Sequence, residues 1–379
     1  MNAPTERFDH VDYNVLDRAK NAFIEASRRT LDFARGYGFV PNRALGASAN
    51  IFSLDLSPFL SGSQRSLSLS LIPEGLGTAD DARPEDLTRE ELLRFWYNIG
   101  IKTISVLTND AASGGLQTVL LGLYLPSSTP EVVFSEEFMK GFLDGIVDGC
   151  KTVGCVYFSG ETPQLKNKIV PGKLDIAGAV FGLLPPETSG INAKAFGVGN
   201  EIVLVESSGP HENGFTTLRA LAEKLPNGYR TDIGGGVQYW EGLNAPSKLY
   251  TPLVQALFKA GICPTNLENI TGHGWQKIMR SGAPLRYRLR AIPPRLPIFT
   301  FVQKALSMSD AEILTVFNCG AGFAIFVESR AEAEKVVALA ASLGLNSVHA
   351  GSIESAPSRE VVVEPLGVTL RGEDFNLRK

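Results

Sequence analysis

The sequence predicts a two-domain protein of alternating strands and helices, a layered α/β (α+β) fold. Three observations lead there. At 379 residues the chain exceeds the length of one ordinary domain. Short apolar runs that end in Gly, Asn, Asp or Thr alternate with segments of helical spacing. A Pro185-Pro186 pair closes the first such series before a second begins, which divides the chain into residues 1–186 and 187–379.

The elements follow in order. Residues 15–34 place Leu16, Ala19, Phe23 and Ala26 on one side of a helix. Residues 66–71 alternate Ser and Leu, a half-buried strand that runs into the glycine-rich turn from Pro73 to Thr78. Residues 80–93 are acid-rich and read as a loop entering a helix. Residues 103–107 read as a buried strand ending at Thr108-Asn109-Asp110, and 119–125 as another. Residues 136–152 have helical periodicity with Gly154 as C-cap. A short strand at 155–158 ends in Gly160-Glu161-Thr162, and a further strand covers 174–184. Beyond the proline pair, 201–205 is a strand, 207–214 a turn and 215–224 a helix. Residues 246–260 and 330–343 read as helices, 322–327 and 361–364 as strands. No repeat of solenoid period is present.

Composition narrows the function classes. Hydrophobic residues make up 44 % of the chain and charged residues 20 %, enough apolar surface to fold without disulfide or metal staples. The formal charge is 36 − 40 = −4, so the basic footprint of a nucleic-acid binder is missing. No run approaches the roughly 18–20 apolar residues of a membrane helix, and the polar residues 1–18 lack the apolar segment of a secretory signal. The cysteines at 150, 155, 263 and 319 fit neither zinc spacing nor a disulfide framework; they read as reduced core thiols of a cytoplasmic protein.

Four polar clusters sit where strands end: Glu74 in the glycine turn, Asn109-Asp110, Glu161, and His211 with Asn213. Ligands of layered α/β folds bind at such places. The first three carry carboxylates, the donors that Mg²⁺ takes together with substrate phosphates, so a nucleotide–Mg²⁺ site is the chemical expectation. The same residues also read as ordinary structure: Asp110 as a helix cap, Glu161 as a surface turn residue, His211 as a satisfied loop histidine. No Walker loop and no nucleophile elbow is present, and Gly320-Ala321-Gly322 lacks the third glycine of a dinucleotide fingerprint. His10 and His349 show no partner in the sequence, whereas His273 lies in a glycine-rich turn.

Taken in order, the motifs resemble the aminoimidazole ribonucleotide synthetase family. The resemblance runs from Ile99-Gly100-Ile101 to Thr108-Asn109-Asp110, through 145–162 with its Gly160-Glu161-Thr162 turn, and over Leu174-Asp175-Ile176-Ala177-Gly178. It continues in Ser208-Gly209-Pro210-His211-Glu212-Asn213-Gly214, the most specific element, then in 245–250, the Thr271-Gly272 turn and 317–322. It implies an N-terminal domain whose sheet pairs across a homodimer into a barrel, and a C-terminal α/β domain that closes a cleft against it. It implies a reaction of ATP with formylglycinamidine ribonucleotide that gives aminoimidazole ribonucleotide, ADP and phosphate. Carried onto this chain, Glu74, Asp110 and Glu161 would hold Mg²⁺. Glu74, Gly75, Gly77, Thr78, Asn109, Asp110, Gly160, Glu161, Gly209 and His211 would line the nucleotide site. His211, Asn213, Glu161 and Asp110 would serve the chemistry, with His211 as acid or electrostatic stabiliser.

The chain departs from the family pattern at defined points. The loop reads Glu74-Gly75-Leu76-Gly77-Thr78-Ala79 where the family has Asp-Gly-Val-Gly-Thr-Lys, so a phosphate-contacting cation is lost at Ala79. Lys102 stands for an Asp, Leu123 for an acidic residue, His273 for a Gly and Pro163-Gln164 for Ala-Glu. Lys102 reads either as a substitute for the lost cation or as a solvated surface lysine. Three functional readings stay open: the cyclo-ligase, a relative that phosphorylates another small molecule, and a non-catalytic dimeric nucleotide-binding module.

Overall fold

The computed structural model describes residues 13–41, 52–60, 68–184 and 191–374. The proline pair expected to mark the domain boundary, His10 and the first residues of the expected 66–71 strand lie outside them. The N-terminal part contains α1 (Tyr13–Thr30), β1 (Phe39–Pro41), β2 (Phe52–Leu54), β3 (Leu69–Gly75), α2 (Arg89–Ser113), β4 (Gln117–Tyr124), α3 (Pro130–Val133), α4 (Glu136–Val153), β5 (Val156–Glu161) and β6 (Ala177–Leu183). The C-terminal part contains β7 (Glu201–Glu206), α5 (Phe215–Ala222), α6 (Tyr239–Asn244), α7 (Thr251–Lys259), β8 (Asn266–Asn269), β9 (Leu285–Leu289), α8 (Pro297–Ala305), α9 (Asp310–Val316), β10 (Ala321–Val327), α10 (Arg330–Ser342), β11 (Ser347–Ser355), β12 (Glu360–Val363) and β13 (Val368–Arg371).

The expected strand at 103–107 is a helix. Residues 89–113 form the single helix α2, started by a capping box in which Thr88 and Glu91 satisfy each other's backbone N–H groups. Amphipathic periodicity is absent because Phe95, Trp96, Ile99 to Ser105, Leu107 to Asn109, Ala111 and Ala112 are all buried. A helix covered on every side reads like a buried strand.

Helix α4 lies against α2 through Gly141, Gly145 and Gly149, one face at i, i+4 spacing. A Cβ on Gly145 would stand 2.2 Å from the Tyr97 carbonyl oxygen, and one on Gly100 2.4 Å from that of Phe142. The two backbones touch where only glycine fits. Ser135 caps the start of α4, and Gly154 ends it in the left-handed conformation (φ 74°), as the sequence indicates.

These helices cover one face of a four-stranded sheet in the order β3-β6-β4-β5, antiparallel except for the β4–β5 pair. Leu121, Leu123 and Val180 point into the core, while Leu69, Leu71 and Tyr124 are exposed. The second sheet has seven strands in the order β13-β12-β9-β11-β7-β10-β8, with only β12 parallel to its neighbour β9. Strand β10, between β7 and the edge strand β8, is buried at every position. Val203, Val205, Phe323 and Ile325 pack under α7 and α10 with Ala112 of α2. On the other face Ile202, Leu204, Ala324 and Phe326 join an apolar cluster that continues into the N-terminal helices. Helix α2 is therefore core to both sheets.

The acid-rich segment is an ordered loop. Ala79–Asp81 form a 3-10 turn, and Asp81 pairs with Lys173 at 2.7 Å and Arg219 at 3.2 Å. Arg230 reaches Asp86 at 3.2 Å and Glu91 at 3.1 Å from the other domain.

Candidate functional site

The seam between the sheets brings together two carboxylates 36 positions apart in the chain (110 − 74). Glu74 sits next to last on β3, opposite Gly178, and Asp110 in the last turn of α2. Burial first, and then the adjacent Asp110, hold the Glu74 carboxyl above its usual range. The C-terminal sheet adds Asn269 at the end of β8, whose Nδ2 donates to Asp110 Oδ1 at 2.7 Å. Its own Oδ1 is buried and receives no hydrogen bond.

Lys277 approaches from the 3-10 turn Gly274–Met279, donating from Nζ to Thr271 Oγ1. Burial lowers its pKa; Asp110, Glu268 and Glu74 act in the other direction, and Arg280 adds to the lowering. Glu268 is pushed up to about 7, chiefly by burial, with Arg280 at 3.7 Å.

Two carboxylates beside an amide oxygen without a donor form a hard oxygen set, which suits Mg²⁺ better than softer metals. Among the described residues no three His, Cys, Asp or Glu side chains come together as a metal site. A cation here would complete its shell with water or phosphate, the ordinary habit of Mg²⁺.

Glu161 is not part of this group within one chain. It ends β5 in the register row of Tyr124, Ala177 and Gly75, three strand spacings from β3, or about 14 Å. It is exposed, lies 3.8 Å from Lys20, and accepts from the Thr162 N–H. Gly160 is required locally, because a Cβ there would stand 2.5 Å from the Tyr157 hydroxyl oxygen. In the glycine turn, Gly77 has φ 68° with open space around it, and Thr78 makes no side-chain cap. Leu76 and Ala79 anchor the turn in the core, and Leu76 N–H donates to Ile176 O beside Gly75.

The Ser208–Gly214 loop packs against α2. His211 is buried with φ 56°, and its Nε2 accepts from the Ser208 N–H at 3.4 Å. Gly322 leaves room for the ring, since a Cβ there would lie 2.9 Å from His211 Cε1. Burial, then Lys102 and Lys248, push the imidazole down to about 3. With its pKa that low the ring is neutral near pH 7 in the folded chain and acts there as a hydrogen-bonding group. Gly209 makes its close approach to protein: its carbonyl accepts from Asn318 at 2.9 Å, and a Cβ would stand 3.1 Å from Gly242 O. Asn213 borders the Thr271-Gly272 turn, with its Oδ1 3.7 Å from a Cβ placed on Gly272.

Both readings of Lys102 are corrected. It is fully buried, and its Nζ donates to His211 O at 2.8 Å and reaches Ser247 Oγ at 3.5 Å. Glu212 is its countercharge, itself accepting from Ser247 Oγ at 2.5 Å. Burial lowers the Lys102 ammonium to about 8 against the pull of Glu212. Asn109 likewise has its amide engaged: Nδ2 donates to Lys248 O at 2.9 Å and Ser105 Oγ at 2.8 Å, and Oδ1 accepts from Tyr250 N–H at 2.9 Å. It ties the domains together. His349, without a partner visible in the sequence, lies 2.6 Å from Glu201 across neighbouring strands.

Asn269, Lys277 and Glu268 were not singled out by the sequence. Their one signal was position: they flank the glycine-rich turn that holds His273.

Residues 86–184 match the family described as AIR synthase related protein, N-terminal domain. The phosphoribosylformylglycinamidine cyclo-ligase of Sorangium cellulosum is 30% identical over 254 residues, covering 64% of this chain and 70% of that protein. Among solved structures, E. coli HypE, a hydrogenase maturation protein, superposes with a TM-score of 0.60 at 19% identity over 94% of this chain and 96% of that one. Thiamine-monophosphate kinase from Stenotrophomonas maltophilia gives 0.55 at 14% identity, over 94% and 98%. The two structures share the fold.

Neutral His211 has a thermodynamic signature. Unfolded, it takes up a proton below its ordinary 6.5; folded, only near 3. Between these values the unfolded state binds the extra proton, so stability falls as pH falls. Denaturant unfolding at pH 7 and pH 4.5 is expected to show a larger acid loss for the native chain than for His211→Asn, whose side chain tolerates the positive φ. Equal losses would show that His211 protonates normally in the fold.

Proposed function

The chain belongs to the AIR synthase family, and from that premise we propose that it is an ATP-dependent cyclo-ligase. It converts formylglycinamidine ribonucleotide to aminoimidazole ribonucleotide, with release of ADP and phosphate. The observation that carries this reading is the Glu74–Asp110–Asn269 oxygen cluster at the seam, with the Ser208–Gly214 loop folded against the same helix.

Glu74, Asp110 and the free Oδ1 of Asn269 are the groups that would hold Mg²⁺. Bound there, the ion would supply positive charge to the nucleotide phosphates. The chain's own work is positioning. The substrate amide oxygen takes the γ-phosphoryl group, and a nitrogen of the same molecule attacks that carbon and expels phosphate as the ring closes. Holding the two ends of one substrate in register favours the second step. Asn213 and the neutral His211 supply hydrogen bonds rather than net charge in this reading, and Gly77 and Thr78 let backbone approach the nucleotide.

Exposed Leu69, Leu71 and Tyr124 support a second copy seated on the open face of the four-stranded sheet. In such a homodimer Glu161 would serve the partner's site, since it stands away from Glu74 in its own chain.

One observation favours a second reading, phosphorylation of another acceptor. A cleft of about 760 Å³ spans both domains, lined by Asp81, Arg83, Trp96, Lys173, Arg219 and Tyr229, and draws on the acid-rich segment that follows the glycine turn.

Purified protein with ATP, Mg²⁺ and formylglycinamidine ribonucleotide is expected to form the ring-closed product with one ADP per turnover. Asp110→Asn should slow it by about 100-fold or more, the scale of losing a main electrostatic group. ADP release only with a different acceptor would select the second reading, and no turnover at high enzyme concentration would contradict the first. By sedimentation the chain should be a dimer and Leu71→Glu a monomer; a monomeric native chain would remove the dimer from the account.

A further inference from the structure

The family pattern places a cation in the glycine turn, and here that position is Ala79. In this structure the position is part of the apolar core. Ala79 is 2% exposed and packs in the core with Leu76 and Ala82. A lysine at this point would bury its ammonium among apolar side chains, which is costly. Lys102 is no substitute, because its buried ammonium donates to His211 O and reaches Ser247 Oγ, with Glu212 as its countercharge.

Lys277 is a cation on the side of the seam whose Asn269 donates to Asp110 Oδ1 at 2.7 Å, and its charge is felt at Glu74. It comes from the other domain, on the turn that follows Asn269 through Thr271. The groups around it are Asp110 on α2, Glu74 on β3, Glu268 on β8 and Arg280 of its own segment. Arg280 is engaged with Glu268 at 3.7 Å. Lys277 donates to Thr271 Oγ1, which aims its short-range hydrogen bonding along the turn and leaves further N–H donors on the ammonium.

We propose that Lys277 is the phosphate-contacting cation of this site, supplied by the C-terminal domain in place of the one absent from the glycine turn. The proposal rests on the nucleotide site described above and names its ligand chemistry: the polyphosphate of a nucleoside triphosphate. With Glu74 and Asp110 holding a divalent cation, the N–H donors that Lys277 does not give to Thr271 would be available to a phosphate oxygen. Because Lys277 and Asn269 lie on one side of the seam and Glu74 and Asp110 on the other, nucleotide would draw the two domains together.

The test is calorimetry on the full chain with Mg²⁺ and the non-hydrolysable ATP analogue AMPPNP. Lys277→Met and Lys277→Gln are expected to weaken binding about 10- to 100-fold, the scale of one charge-assisted hydrogen bond. Lys277→Arg should stay within a few-fold of the native chain. Circular dichroism checks that each variant is folded. A second titration uses ribose 5-phosphate, a probe for the phosphate of an acceptor. Unchanged AMPPNP affinity in folded Lys277→Met and Lys277→Gln would overturn the proposal and leave the nucleotide site standing. Loss confined to ribose 5-phosphate would also overturn it, since the contact would then be to the acceptor. No AMPPNP binding by the native chain would overturn both this proposal and the functional reading beneath it.

Discussion

The rest of the molecule depends on the burial of one helix by both domains. From Phe95 onward helix α2 has almost no wet face, so the polar groups it carries there must find protein partners. Lys102, Ser105 and Asn109 lie at i, i+3 and i+7, one stripe that meets the Ser208–Gly214 loop and the 245–250 segment. Asp110 opens the adjoining stripe toward β3 and β8. The rotation of the helix is fixed by the first set of bonds, and this fixes where Asp110 points. The cost of a buried polar helix and the placement of the site are one constraint.

That constraint explains the unusual charges. A buried ammonium such as Lys102 is tolerated only when paired and hydrogen-bonded, and removal of one partner leaves an uncompensated charge. Glu212, Ser247 and the His211 carbonyl provide the compensation. The same positive charge, with burial, keeps His211 neutral. At the Glu74–Asp110 pair the balance runs the other way: two carboxylates crowd together and one lysine from the facing domain offsets them.

The layered α/β class and most strands were legible because strand ends carry Gly, Asn and Glu in short, recognisable turns. Gly154 was legible as a helix stop for the same local reason. Helix α2 was not, since a helix buried all round loses the periodicity that identifies it. The pairing of Glu74 with Asp110 was expected. That Glu161 stands about three strands away was not, because strand order is set by long-range pairing rather than by any local pattern. Lys102 was misplaced because a substitution at a family position does not reveal which face of a helix it occupies. Asn269 and Lys277 were missed because their chemistry comes from an approach across the seam by residues over 150 positions from Asp110 (269 − 110 = 159).

The central claim is that α2 carries Asp110 to a point where both domains supply oxygen ligands to one cation. Crystals of the full chain grown with Mn²⁺ and AMPPNP and measured at the manganese edge test it most directly. The account predicts an anomalous peak within bonding reach of Glu74, Asp110 and Asn269 Oδ1, roughly 2.0–2.3 Å from each oxygen by the usual lengths for such hard cations. Well-ordered nucleotide with its manganese bound away from Asp110, or with Asn269 pointing elsewhere, would contradict it.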